Sequence, residues 1–250
     1  MHSQSPKSPQ SPKPRIIAIS QARTGSTRLP GKVLRQVCGK TLLEHHIDRL
    51  SRASRIDEVV VATSTASGDD AIEELCAVRG YNVFRGDETD VLSRYAGAAE
   101  AFGGEIIVRV TSDCPLIDPG VADNLVDMFM ASDPALDYAR VDTASYPHGL
   151  DTEIFSRSAL VVAAAEAVDP EEREHVTAFI YRRPERFRLS LLQSPAANPG
   201  HRWCVDEERD LRFVSRVIEA LYPGNPTFNW HDCVAVLKEN PQWMDINRDV

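Results

Sequence analysis

An α/β fold built on a mainly parallel β-sheet is the architecture that this sequence predicts. Short apolar runs rich in β-branched residues alternate with amphipathic stretches through the first half of the chain. After about residue 136 the strand-like segments follow one another with a different spacing. The sequence shows no internal repeat. Strands that are joined through helices form βαβ units, whose strands lie parallel in one sheet.

The first half is predicted as an alternation of strands and helices. The strands cover residues 16–20, 59–63, a short stretch near Val83, and 105–110, and the helices cover 41–53, 69–79, 90–102 and 119–131. Pro119 suits the first turn of its helix, because the amide hydrogen that proline lacks has no partner there.

The second half is predicted to be mixed and partly antiparallel. Strands are expected over residues 136–141, 151–155, 187–193 and 202–205, and helices over 158–167, 173–181, 207–221 and 231–240. Residues 15–250 are therefore expected to form one domain. Residues 1–14 repeat Ser-Pro and Lys-Pro steps and are expected to be a disordered tail.

Composition and charge exclude several classes of protein. The formal net charge of −9 argues against general nucleic-acid binding. The longest apolar run has seven residues, whereas a membrane span needs roughly 20, and residues 1–14 lack the apolar core of a secretory signal. The five cysteines are an odd number, and no two are closer than 29 positions. This spacing excludes a zinc ribbon and fits unpaired thiols in a reducing cytoplasm.

A basic segment follows the first predicted strand. Residues 15–43 contain six basic side chains and no acidic one. Within it, the loop at 20–32 offers Arg23, Arg28 and Lys32 with no carboxylate beside them. Ligands in open parallel sheets bind beyond the carboxyl ends of strands, where this loop lies. The loop suits a triphosphate, which concentrates several negative charges; chance clustering on a solvated face is the alternative.

Two common phosphate-binding motifs do not fit this loop. Five residues separate Gly25 from Gly31, where a Walker A loop has four, and Val33 replaces the required serine or threonine. The glycine pattern of dinucleotide-binding proteins does not follow the first strand. The sequence therefore excludes a P-loop ATPase and an NAD-dependent enzyme.

Two aspartates are candidates for a metal site. Asp113 follows the strand at 105–110, and Asp206 follows the strand at 202–205, so both are expected at the sheet edge that carries the basic loop. A triphosphate site usually holds Mg²⁺ through one or two carboxylates. The alternative is that each aspartate caps the helix that follows it.

Six motifs, taken in order, resemble those of the cytidylyltransferases. They are residues 21–34 (QARTGSTRLPGKVL), 90–95 (DVLSRY), 111–118 (TSDCPLID), 149–155 (GLDTEIF), 172–177 (EREHVT) and 202–206 (RWCVD). The resemblance runs from about residue 16 to 247. It is closest to the spore coat polysaccharide biosynthesis group, which is related to the enzymes that make CMP-activated Kdo and CMP-sialic acid.

The resemblance implies a Rossmann-like nucleotide-diphospho-sugar transferase fold, usually in a homodimer. It also implies that the hydroxyl of a sugar or sugar-like acid attacks the α-phosphorus of CTP, yielding a CMP-linked product and pyrophosphate. Nucleotide-binding residues carried over by position are Gln21, Ala22, Arg23, Gly25, Ser26, Arg28, Lys32, Thr63, Arg94 and Thr111. Asp113 and Asp206 would ligate Mg²⁺ and, with Arg23 and Lys32, carry catalysis. The anionic acceptor would meet His148, Asp151, Glu153, Arg173, Glu174 and His175.

The chain departs from the group's pattern at several positions. Ser20 replaces an aliphatic residue, Thr24 replaces methionine, Ser112 replaces the glycine of Gly-Asp-Cys-Pro, and residues 207–208 are Glu-Glu instead of Thr-Pro. No charged ligand is lost. Two alternative functions are a sugar-1-phosphate nucleotidyltransferase that uses another nucleotide and a non-catalytic nucleotide-binding protein.

Overall fold

The computed structural model describes residues 13–195 and 200–248. Most of the predicted disordered tail, residues 1–12, lies outside the described residues. Within the described ranges, no helix is long and apolar enough to cross a membrane. All five cysteines are unpaired, as the sequence predicts, and only Cys38 among them is exposed.

A seven-stranded mixed sheet forms the centre of the molecule. Its strands are β1 (Ile16–Gln21), β4 (Glu58–Ser64), β5 (Asn82–Gly86), β6 (Ile106–Thr111), β7 (Tyr138–Val141), β8 (Glu153–Ser156) and β9 (Leu189–Leu192). They lie in the order β5-β4-β1-β6-β8-β7-β9. The first four pair in parallel, whereas β8 is antiparallel to both β6 and β7. The predicted α/β class and the mixed second half are both confirmed.

Helices cover both faces of this sheet. They are α1 (Leu42–Leu50), α2 (Asp70–Arg79), α3 (Val91–Ala101), α4 (Pro119–Ala131), α5 (Arg157–Glu166), α6 (Pro170–Glu174), α7 (Ala178–Tyr181), α8 (Glu208–Leu221) and α9 (Trp230–Glu239). A short hairpin that the sequence analysis did not predict, β2 (Gln36–Val37) with β3 (Lys40–Thr41), precedes α1. Thr41 and Glu44 form a capping box that starts α1.

The central strand β1 shows why the apolar runs are continuous. Ile16 and Ala18 pack into one core with α4, α8 and α9, while Ile17 and Ile19 pack into a second core with α3 and α5. Successive side chains of a strand point to opposite faces. Because both faces are covered, both sets of side chains must be apolar.

The helix predicted over residues 173–181 is interrupted. α6 ends at Glu174 and α7 begins at Ala178, and between them Val176 adopts a left-handed φ of 47°. Val176 is fully buried, and the Thr177 hydroxyl donates a hydrogen bond to Glu153 at 2.7 Å. These tertiary contacts outweigh the local helical preference, so the prediction of one continuous helix is wrong.

The strand predicted over residues 202–205 is also absent from the described sheet. Arg202 makes only an isolated bridge with His148. The amide of Val205 instead donates to the carbonyl of Asp113 at 2.8 Å. The segment is apolar because Trp203 and Val205 are buried in the core, and a buried connection cannot be told from a short strand by apolarity alone.

Candidate functional site

A cavity of about 290 Å³ lies at the carboxyl ends of β1 and β6. It is lined by the loop after β1, by Val91 and Arg94 of α3, and by Asp113 and Asp206. Every predicted nucleotide-binding residue except Thr63 lines this cavity. A larger depression of about 910 Å³ lies among residues 132–137 and 184–189, and its lining includes none of the predicted site residues.

Asp69 holds the loop after β1 in place. Its carboxylate accepts hydrogen bonds from the amide and hydroxyl of Thr24 at 2.7 and 2.8 Å and from the Ser64 hydroxyl. Burial opposes ionisation of Asp69, but the hydrogen bonds from Ser64 and Thr24 outweigh it and lower the pKa of this carboxyl group. The Gly31 amide closes the loop by donating to the Thr24 carbonyl at 2.9 Å. Thr24, which stands where the resemblance has methionine, therefore has a hydrogen-bond acceptor in Asp69 that was not predicted from the sequence.

Lys32 lies between the two predicted metal ligands. Its Nζ donates to Asp113 Oδ2 and to Asp206 Oδ1, both at 2.9 Å, and to the carbonyl of Val205 at 2.7 Å. Only 10% of its side chain is exposed. Burial disfavours the charged amine, but the two carboxylates outweigh burial and raise the pKa of Lys32.

Asp206 also contacts two arginines. Arg202 lies 2.7 Å from one carboxylate oxygen of Asp206, and Arg28 lies 3.3 Å from the other. Burial raises its pKa, but Lys32, Arg202 and Arg28 together lower the pKa of Asp206 to about 2. The carboxylate therefore stays ionised throughout the physiological range.

The sequence predicts that no carboxylate lies beside the three loop cations, and this prediction is wrong for two of them. Lys32 and Arg28 both pair with Asp206. Within the described part of the chain, Arg23 has no ion pair and remains available to an anion. The sequence segment holds no acid, but the fold brings in carboxylates from positions more than 80 residues away, which no local pattern reveals.

The helix-cap alternative is wrong for both candidate metal ligands. Glu207 is the N-cap residue of α8 and forms a capping box with Asp210, while Asp118 caps α4. Asp113 and Asp206 thus have no structural role as caps in the described fold, and their carboxylates face the cavity.

The two carboxylates lie close enough together to share one cation. Oxygens of Asp113 and Asp206 converge on one point, since both lie 2.9 Å from a single ammonium nitrogen. In residues 13–195 and 200–248, no group of three or more His, Cys, Asp or Glu side chains is arranged to hold a metal ion. Mg²⁺ fits such a pair, because it commonly takes one or two carboxylates and completes its shell with water and phosphate oxygens.

A second cavity of about 230 Å³ adjoins the first, and His175 lines both. Asp151, Glu153 and His175 from the predicted acceptor set line it. Glu174 lines the first cavity instead. His148 pairs with Asp151 at 2.8 Å, and this hydrogen bond raises the pKa of the imidazole despite partial burial.

Charges in the second cavity are unevenly compensated. Glu153 forms an ion pair with Arg109 and accepts hydrogen bonds from the hydroxyls of Tyr138 and Thr177. Arg140 lies directly opposite Glu153 in the β7–β8 register. Glu153 thus has three donors, and Arg140 has no ion pair within the described residues. Arg140 is not among the residues predicted from the sequence, since nothing local distinguishes it from other strand arginines.

Three predicted residues are placed away from these cavities. Arg173 pairs with Asp90 at 2.6 Å and donates to the carbonyl of Ala167, so it fastens α6 to α3. Asp90 is thus occupied by Arg173, and Arg94 donates to the Asp87 carbonyl. Thr63 is fully buried and does not line the nucleotide cavity, and His148 reaches the second cavity only through Asp151.

Comparison with known proteins agrees with the geometry. The sequence model of the cytidylyltransferase family matches residues 17–218. The chain is 33% identical over 236 residues to the spore coat polysaccharide biosynthesis protein SpsF of Bacillus subtilis, covering 90% of this chain and 95% of that protein. It is 30% identical over 226 residues to a 3-deoxy-manno-octulosonate cytidylyltransferase of Solibacter usitatus, covering 83% and 87%.

A solved structure shows the same fold. The cytidylyltransferase from Leptospira borgpetersenii superposes with a TM-score of 0.89 at 30% sequence identity, covering 95% of this chain and 99% of that one. The Rossmann-like fold implied by the resemblance is therefore confirmed.

Proposed function

The chain belongs to the cytidylyltransferase family, and we propose that it transfers CMP from CTP to a hydroxyl group of a sugar or sugar-like acid and releases pyrophosphate. One observation supports this most strongly. A cavity at the carboxyl edge of the sheet joins a basic loop to two convergent carboxylates, next to a second cavity of suitable size for a small acid. The name of the SpsF relative supports a role in surface polysaccharide or glycoconjugate synthesis.

The loop after β1 is proposed to bind the triphosphate. Arg23 brings an uncompensated charge, and Gly25 and Ser26 bring backbone and hydroxyl donors to the same wall of the cavity. Lys32 pairs with both aspartates in this structure. We propose that it gives them up for phosphate oxygens when the triphosphate enters, so that negative charge on the departing pyrophosphate is neutralised.

Asp113 and Asp206 are proposed to hold Mg²⁺. When bound there, the ion would polarise the α-phosphate and lower the pKa of the attacking hydroxyl. The low pKa of Asp206 keeps this carboxylate in the ionised form that a metal ligand needs. The same low pKa makes Asp206 a poor acceptor for the hydroxyl proton, so its proposed role is that of a ligand.

The second cavity is proposed to bind the acceptor. Arg140 and His175 line it, and a compact sugar acid with one carboxylate suits its volume and its uncompensated positive charge. The acceptor oxygen then forms a bond to the α-phosphorus while the bond to pyrophosphate breaks. Positioning of the two substrates, together with neutralisation of the phosphate charge, supplies most of the rate enhancement in this kind of transfer.

Replacing either metal ligand tests the proposal. We expect Asp113→Asn and Asp206→Asn to reduce pyrophosphate release from CTP with 3-deoxy-manno-octulosonate and related 2-keto-3-deoxy acids by roughly 100-fold or more. Asp127→Asn, which alters only a surface ion pair with Arg55, is the matched control. Near-normal rates in both site variants would refute the metal assignment.

A panel of nucleotides distinguishes the competing functions. Release of pyrophosphate with UTP or GTP alone, in the presence of sugar 1-phosphates, would identify the other nucleotidyltransferase class. Nucleotide binding without turnover in any pair would identify a binding protein. We expect turnover with CTP, detected as the mass of the CMP adduct.

We also propose that the protein is a homodimer, as the resemblance implies. Sedimentation at micromolar concentration should give the mass of two 27.7 kDa chains. A mass of one chain across the concentration range would refute this.

A further inference from the structure

A buried chain of hydrogen bonds lies directly beneath Asp113. The Ser20 hydroxyl oxygen is 2.7 Å from that of Ser112 and 2.9 Å from His46 Nε2. His46 Nδ1 is 2.9 Å from the carbonyl oxygen of Cys114. Ser20, His46 and Ser112 are all at most 1% exposed. The chain therefore joins β1, α1 and the end of β6 out of contact with solvent.

The direction of each hydrogen bond in this chain follows from its last member. A carbonyl oxygen can only accept, so His46 Nδ1 must carry the hydrogen that it donates to Cys114. Burial lowers the pKa of His46 to about 4, so its ring is neutral and Nε2 accepts. The Ser20 hydroxyl must then donate to Nε2, and the hydrogen between the two serines must come from Ser112.

The two ends of this hydrogen-bond chain are Ser112 and Cys114, which are the two sequence neighbours of Asp113. Ser112 is tied through its side chain, and Cys114 is tied through its carbonyl group. The remaining carbonyl, that of Asp113, accepts a hydrogen bond from the amide of Val205 at 2.8 Å. The backbone around Asp113 is thus held on both sides, and it is also tied to the segment that carries Asp206.

We infer that Ser112, Ser20 and His46 are positioning residues that fix the Asp113 carboxylate in line with that of Asp206. This inference rests on the proposed metal-dependent function. The side chains of Ser20 and Ser112, two positions at which the sequence departs from the pattern that it resembles, contact each other. A polar network that is completely satisfied, as here, specifies one arrangement of its members.

A purely structural network would behave differently from a positioning one. Loss of a hydroxyl would lower the stability of the fold in both cases. Only a positioning role predicts that metal affinity falls in a protein that is still folded, because the two carboxylates no longer converge on one point. Metal affinity is therefore the quantity that separates the two roles.

The test measures binding of Mn²⁺, as a stand-in for Mg²⁺, by electron paramagnetic resonance in the presence of CTP. We expect Ser112→Gly and Ser20→Ala each to weaken Mn²⁺ binding about 10-fold, which is typical when groups that orient a metal ligand are removed. The double variant should be no weaker than the weaker-binding single variant, because the hydroxyls act as one unit. His46→Gln should behave in the same way.

Ser132→Ala is the matched control. It removes one hydroxyl hydrogen bond, to the Met128 carbonyl at 2.8 Å, at the far end of α4. Unchanged Mn²⁺ affinity in folded Ser112→Gly and Ser20→Ala, or an equal loss in Ser132→Ala, would overturn the inference. Failure of the unaltered protein to bind Mn²⁺ with CTP would refute the proposed metal site itself, and the positioning role with it.

Discussion

Arg140 and Arg109 are two arginines beside the same carboxylate, that of Glu153, and they differ in whether they pair with it. Both lie opposite Glu153 across adjacent strands, but only Arg109 forms an ion pair with it. Hydroxyl groups of Tyr138 and Thr177 also donate to Glu153. Both arginines line the second cavity, but the charge of Arg109 is compensated by Glu153, whereas Arg140 has no ion pair within the described residues.

Replacement of Arg140 tests its assignment to the acceptor. We expect Arg140→Gln to raise KM for an acidic acceptor by about 10- to 100-fold, because one charge-assisted hydrogen bond is lost. KM for CTP should not change, since Arg140 does not line the nucleotide cavity. Arg216→Gln, which alters an exposed arginine of α8, is the control. Equal changes in both KM values would contradict the assignment.

The segment at 148–149 shows how an irregular element completes the site. His148 pairs with residues 201–203 through two backbone hydrogen bonds: its amide donates to the His201 carbonyl at 3.0 Å, and its carbonyl accepts from the Trp203 amide at 2.6 Å. Gly149 adopts a φ of 108° and packs against the backbone of Trp203 and Cys204. A Cβ at Gly149 would lie 2.7 Å from the Trp203 carbonyl carbon. This close approach holds the segment that leads to Asp206.

Gly149→Ala should therefore destabilise the folded protein. We expect a loss of roughly 3 kcal/mol or more in the free energy of unfolding, from the left-handed conformation together with the backbone clash. Gly80→Ala is the control, because Gly80 also has a positive φ of 70° but open space around its Cα. It should cost only about 1–2 kcal/mol in chemical denaturation. Similar losses in the two variants would show that the close approach contributes little.

The molecule as a whole assembles its site at one edge of the sheet. Lys32, Asp113 and Asp206 come from three distant parts of the chain and meet within 2.9 Å contacts. The negative charges of the two aspartates are already paired with Lys32 and neighbouring arginines before any ligand binds. A ligand that binds only the native arrangement then stabilises the entire fold.

Ligand binding should therefore be visible in thermal unfolding. At 100 times its Kd, CTP with Mg²⁺ should raise Tm by roughly 5–10 °C for a chain of this size. Asp113→Asn should abolish most of this shift, and UTP or GTP with Mg²⁺ at the same concentration as CTP should give a smaller one. An equal shift with every nucleotide would contradict selectivity for CTP.

The α/β class, most elements and the basic loop follow from local features, because apolar periodicity and charge along the chain record which faces are buried. Nine of the ten predicted nucleotide-binding residues line one cavity. Seven of them lie at the carboxyl end of β1 or in the segment after it, and a loop after a strand must lie at the sheet edge. Other features depend on contacts between distant segments. These are the pairing of Lys32 with two aspartates, the hydrogen bonds from Thr24 to Asp69, and the lack of an ion pair at Arg140 within the described residues. Such contacts arise from tertiary packing and have no signal in the local sequence, so only the tertiary structure shows them.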